Sequence, residues 1–304
     1  MSTPTAVVMA VASSCLYFLG FVLFKNAALS MPPLRGTRPF HFAVTVLSSG
    51  IWLAGGLVMG VGVALQFAAL SRLSLALLVP SLLCGLVVLM FLAFFVSGEG
   101  TTASELCCLA MMTVGGMVIA WSGPGAPPPV SPPLLVLLAV PSLIVPVLIF
   151  SLGDTRPEGQ HARPLTGIAY GLSAGTLIGL AELALSLQSR EELTASALAG
   201  PLPYLFALAV ACGIAQLQIA LQRCRMIIVL FVATVVAKAY LVLASGLLHL
   251  GSGVAPFSSP WLLPPGLALV AAAFFLSPHY ETGRRHDFLP GTPVRPTRHG
   301  LHRP

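Results

Sequence analysis

Charge is what this sequence lacks. Only 8% of its 304 residues are Asp, Glu, Lys or Arg, where a soluble domain carries about 25%. So few charges cannot cover a water-facing surface. A soluble globular protein and a nucleic-acid-binding module are excluded on that ground. A disordered chain is excluded by the 57% hydrophobic content. Signatures of chemistry are missing too. There is no Walker P-loop and no HExxH helix, nor is a hydrolase nucleophile elbow read in it. The six cysteines make no CxxC and no Cys/His ligand spacing, and the seven histidines make no helical HxxxH pair. No enzyme, cofactor or resident metal is therefore expected. Glycine and proline are frequent, 29 and 26 residues, without the period of collagen.

What is present is apolar run after apolar run, with a mean hydropathy of +0.94. In lipid a run of about 20 such residues reads as a spanning helix. Nine are predicted: 5–28, 41–69, 73–97, 103–122, 133–152, 165–188, 202–222, 226–250 and 261–277. The first is long for the core of a signal peptide, so it is expected to stay in the mature protein. The fold class expected is an all-α polytopic membrane protein with its lipid bilayer as solvent.

The basic residues orient it. The tail beyond 277 carries Arg284, Arg285, Arg295, Arg298 and Arg303, which places it in the cytoplasm. Alternation over nine spans then puts Lys25, Arg35, Arg38, Arg156, Arg163, Arg223 and Arg225 on the same side. Only Arg72 and Arg190 fall outside, and Lys238 stays in the membrane. The expected topology is N-terminus outside, C-terminus cytoplasmic, in a plasma membrane. The net charge of +6 is thus topological and needs no nucleic acid. Trp121 and Trp261 fall at outer helix ends, where amphipathic rings settle.

Two weak self-matches suggest a repeat. Leu65-Gln66-Phe67-Ala68-Ala69-Leu70 ends the second span and Leu217-Gln218-Ile219-Ala220-Leu221 the seventh. Ala12 to Lys25 aligns without gaps on Ala169 to Glu182. The organisation read from this is a first repeat of four helices at 1–123 and a Pro-rich outer linker at 124–133. A connector helix with a cytoplasmic loop follows at 134–163, a second repeat at 164–280 and a basic disordered tail at 281–304. The halves would be inverted, as in many secondary transporters.

Two charges remain deep in the membrane, where an ionisable residue marks a functional site by default. Glu182 lies within the sixth span. Gly167, Gly171, Gly175 and Gly179 form a stripe on that helix, and at 100° per residue Glu182 falls in its middle. The stripe serves helix packing, so Glu182 points into the bundle. Lys238 lies midway along the eighth span. Its rise from the inner face is ~18 Å against ~24 Å for Glu182, a gap that a lysine side chain bridges. The two are expected to pair across a central cavity and form the substrate pathway or gate. Gln66 and Gln218 are intramembrane amides that join them as candidates, and Gln216 and Gln222 are expected to bond between helices. Lys25 is expected to snorkel to the cytoplasmic surface.

The stretch Trp52…Gly62…Leu65-Gln66-Phe67-Ala68-Ala69-Leu70, Ser74…Val79-Pro80, Gly98-Glu99 and Gly115-Gly116 resembles the drug/metabolite transporter superfamily, in its EamA-type and NIPA-like members. Tyr17-Phe18-Leu19-Gly20 and Lys25-Asn26-Ala27-Ala28 are similar to the opening helix of bacterial members. The resemblance implies a transporter of a small-molecule solute by alternating access. Its NIPA-like branch implies magnesium. The first four spans hold no mid-membrane carboxylate, and a hard divalent cation wants several oxygen ligands, so an organic solute is preferred. A non-transporting membrane scaffold is the reading from another class. A homodimer is compatible with the sequence.

Overall fold

Lipid leaves a backbone no partner but itself, so the apolar runs must coil. In the computed structural model they do. Residues 3–32, 34, 39–123, 132–153, 164–189, 200–249 and 257–276 are described. Most of the 124–133 linker, the tail, and Arg35, Arg38, Arg156, Arg163 and Arg190 lie outside them. The elements are α1 (Thr3–Ser30), α2 (Pro39–Leu47), α3 (Gly50–Leu70), α4 (Leu75–Leu83), α5 (Gly85–Phe95), α6 (Ala103–Ser122), α7 (Pro132–Gly153), α8 (Pro164–Gln188), α9 (Pro201–Arg223), α10 (Met226–Leu248) and α11 (Leu263–Leu276). A 3-10 turn at Pro260–Leu262 leads into α11.

Among the described residues seven helices are long and apolar enough to cross a membrane: α1, α3, α4 with α5 as one span, α6, α8, α9 and α10. The chain is a multi-pass helical membrane protein. The fifth and ninth expected spans form shorter apolar helices, Pro132–Leu148 and Pro260–Leu276.

Two expected spans are interrupted, each for a local reason. The run at 41–69 is two helices. Ser48 Oγ donates to the Thr45 carbonyl, and Ser49 accepts from the Trp52 N–H as the N-cap of α3. Side-chain oxygens thus compete with the helical ladder at this point. The nine-residue α2 rises only ~14 Å, too little to span. The run at 73–97 breaks at Cys84, four residues after Pro80 inside α4. Cys84 still donates to the Pro80 carbonyl, and the regular ladder is lost just beyond, where Val87 donates to Cys84 in a tighter three-residue turn. Ser14 of α1 donates to the Leu82 carbonyl beside the break at 2.7 Å.

Small residues set the packing. Between α1 and α3, a Cβ on Gly62 would sit 3.2 Å from the Ser13 carbonyl, and one on Gly55 3.1 Å from that of Gly20. These contacts run in opposite sequence order, so the two helices are antiparallel. On α8, the position of a Cβ on Gly171 lies 3.2 Å from the Val229 carbonyl. For Gly175 the distance is 2.7 Å from Ala233 O, and for Gly179 it is 2.8 Å from Ala237 O. Both sequences rise together, so α8 and α10 are parallel, backbone on backbone. Gly167 lies on the same helix, and its surroundings are outside the description. The α6–α11 crossing is reciprocal: Gly115 faces the Gly266 carbonyl and Gly266 that of Gly115.

Burial identifies the centre. In α8, 83% of the spanning window is buried, and in α10 67%, against 33–44% for the other five spans. The two innermost helices carry Glu182 and Lys238.

The stripe generates a direct test. Gly175→Val drives a side chain into the α10 backbone and is expected to lower stability by about 1–3 kcal/mol. Gly56→Ala, with nothing within 4 Å, should stay within about 0.5 kcal/mol of the parent. Thermal unfolding in detergent micelles reads both.

Candidate functional site

Glu182 sits three residues beyond Gly179 on the α8 face that meets α10, and Lys238 follows Ala237 on α10, at the edge of the cavity-lining strip of Leu230, Ala233, Thr234 and Ala237. Close backbone approach therefore brings the two side chains together. Lys238 Nζ donates to Glu182 Oε1 in a buried ion pair. Glu182 is 8% exposed and Lys238 5%. The second carboxylate oxygen, Oε2, is buried without a hydrogen-bond partner.

The pair opens onto a cavity of about 90 Å³ between α1, α3, α4, α8, α9 and α10. Its wall is otherwise mostly apolar, with Tyr17, Phe18, Phe21, Met59 and Phe206 as the large contributors and Ser14 and Thr234 as polar ones. In such a medium each charge needs its partner. A second hollow of about 20 Å³ lies beside Glu105 and Ile227, room for roughly one or two waters.

Gln66 and Gln218 are not among the residues lining the cavity. Gln66 is fully buried with neither amide atom hydrogen-bonded. Gln218 Nε2 donates to the Phe24 carbonyl at 3.3 Å, while its Oε1 is unmatched. Gln216 Nε2 donates to Pro146 O on α7 and its Oε1 accepts from Ser173. One expectation from the sequence is corrected: Gly171-Leu172-Ser173-Ala174-Gly175 does spell the Gly-x-Ser-x-Gly pattern held to be missing, although a nucleophile elbow needs a sharp strand-to-helix turn. Here they are the interior of α8, and Ser173 is a buried helix-to-helix donor.

Lys25 corrects the sequence expectation. It does not snorkel. It is 7% exposed, and its ammonium donates to the carbonyls of Leu221 at 2.7 Å and Cys224 at 2.9 Å. These carbonyls end α9, where the ladder leaves them without partners and the helix dipole favours a cation.

Lys25 is one part of a clamp on the α9–α10 turn. Gln222 donates to the carbonyls of Ala28 and Pro32 and accepts from the Leu34 N–H. Glu99 accepts from the Met226 and Ile227 N–H groups at 2.7 and 3.0 Å, a carboxylate on the N-terminus of α10. Arg225 pairs with Glu105 at 2.5 Å and donates to the Gly100 carbonyl. Glu105 is itself held in a capping box with Thr102. Sequence reading missed this clamp. Its one legible sign was the Thr102-x-x-Glu105 box, since the partners lie 120 to 199 residues apart.

Compared with family models, curated proteins and solved structures, the chain matches none.

Removing one charge of the pair strands the other. Lys238→Met is expected to cost about 3–5 kcal/mol. The double variant Glu182→Met with Lys238→Met should recover most of that loss. Unfolding of the two single variants and the double closes the cycle, and additive losses would count against the coupling.

Proposed function

We propose that this protein is a secondary transporter of the drug/metabolite type, moving a small organic solute by alternating access across a plasma membrane. The observation that carries the reading is the central cavity with a charge pair in its wall. Transporters place their sites near mid-membrane, at the interface of two repeats. This cavity has walls from both parts of the chain: α1, α3 and α4 on one side, α8, α9 and α10 on the other.

The packing supports two inverted repeats of four helices joined by α7, giving nine spans. In the first repeat α1 lies on antiparallel α3 and on the α4–α5 span. In the second, α8 lies on α9 and on α10. The last helices, α6 and α11, cross at Gly115 and Gly266. On this reading the N-terminus is outside, the C-terminus is cytoplasmic, and the clamped α9–α10 turn is an inner gate. Its ligands come from the first repeat (Lys25, Glu99, Glu105) and hold the second. Rocking one repeat against the other must break them.

The donor set suits an organic solute. Glu182 faces an ammonium and apolar side chains, whereas magnesium wants a shell of oxygens. A non-transporting scaffold is the second reading, favoured by how deeply the ion pair is buried.

Labelling separates the two. A single cysteine at Thr234, in an otherwise cysteine-free chain, should react with a membrane-impermeant thiol reagent from at least one face. Arg225→Ala should raise labelling from the clamp side severalfold. Proteoliposomes should show flux of some solute from a broad panel, lost in Glu182→Gln. A cysteine silent from both faces, with no flux of any solute, would leave the scaffold.

A further inference from the structure

We infer that the cavity takes a small apolar zwitterion: one amine and one carboxylate on a short branched carbon skeleton. This rests on the transporter reading and adds the chemical class of the solute.

Charge balance is the first argument. The wall is neutral only because Glu182 and Lys238 cancel. A cationic ligand that took Glu182 would strand the Lys238 ammonium in an apolar cavity. An anion on Lys238 would strand the carboxylate. An uncompensated buried charge is strongly unfavourable. A zwitterion replaces one pair by two: its carboxylate accepts from Lys238 and its ammonium donates to Glu182. No charge is left alone before or after binding.

Unused hydrogen-bonding capacity is the second. Glu182 Oε2 is buried with no partner, an acceptor waiting for a donor that the protein does not supply. Lys238 Nζ donates to Glu182, one of the three N–H donors an ammonium carries. Both halves of the pair have room for a second partner, and those partners have opposite polarity.

Shape and size are the third. Tyr17, Phe18, Phe21, Met59 and Phe206 form an apolar wall around the pair, suited to a hydrocarbon side chain. The cavity of about 90 Å³ is smaller than the roughly 150 Å³ that holds benzene, so the solute has to be short and its seating widens the pocket. Valine, with a branched apolar side chain on the carbon that bears both charges, stands at the upper end of that size.

The experiment uses the full chain in lipid nanodiscs. Valine is compared with isobutylamine and isovalerate, which each keep one charge, by thermal shift and equilibrium binding. Valine is expected to bind and stabilise, and the single-charge analogues to bind at least about tenfold more weakly, a difference of 1.4 kcal/mol. Glu182→Gln and Lys238→Gln should each weaken valine at least about tenfold. The exchanged variant Glu182→Lys with Lys238→Glu keeps the pair, and with it folding, and should bind valine better than either single variant. Equal binding of valine and either analogue, or equal binding by parent and Glu182→Gln, overturns the zwitterion site. Glu182-dependent flux of another solute without valine binding overturns it too and leaves the transporter standing. Valine binding without flux of any solute upholds the site and overturns the transporter.

Discussion

A carboxylate and an ammonium held in hydrocarbon must stay together. Each alone costs about 2.5–3.5 kcal/mol to place at mid-membrane on insertion scales, and breaking a buried pair costs more still. Glu182 and Lys238 impose that constraint on the bundle. Their helices must be neighbours, must be central and must approach closely enough for two side chains to meet. The glycines of α8 supply the approach, and the enclosure of α8 and α10 supplies the position. The remaining spans then have one side for this centre and one for lipid.

Polar groups are treated differently at different places. At the α9–α10 turn the last carbonyls of α9 meet Lys25, and the first N–H groups of α10 meet Glu99. Elsewhere, Gln66 on α3 and Gln188 at the end of α8 are buried with both amide atoms unmatched. Helix ends are thus matched at the turn, while amides in the spans are left without protein partners. Buried amides of this kind are where ordered water collects.

Much of this was legible in the chain. Apolar runs located every long helix, because lipid permits only helical backbone there. Two deep charges stood out because the background held so few. The glycine stripe gave Glu182 its direction, since a fixed 100° step needs no tertiary information. What escaped shares a physical cause. Hydropathy averages over a window, so it is blind to one competing oxygen at Ser49 or one hydroxyl of Ser14 on the Leu82 carbonyl. The fate of Lys25 depended on a helix end 196 residues away, and no local pattern encodes that. The cavity wall escaped as well. Tyr17, Phe18 and Phe206 look in sequence like any other lipid-facing aromatics.

The stripe on α8 carries a consequence of its own. Gly171, Gly175 and Gly179 meet α10 near Val229, Ala233 and Ala237, a step of four residues on both helices. On its backbone side this zipper has nearly equal teeth, although the side chains opposite, Val232, Val236 and Tyr240, differ in size. Slid by one turn, about 5.4 Å, its backbone contacts would largely repeat with small residues still opposite carbonyls. Glycine packing therefore makes these helices close without deciding where they stop. Glu182 and Lys238, the single acid of α8 and the single base of α10, add a preference: their side chains meet most directly in the observed register, and a shift of one turn has to be taken up by the length of the lysine. The pair thus biases the register of a contact that the glycines alone leave loosely defined.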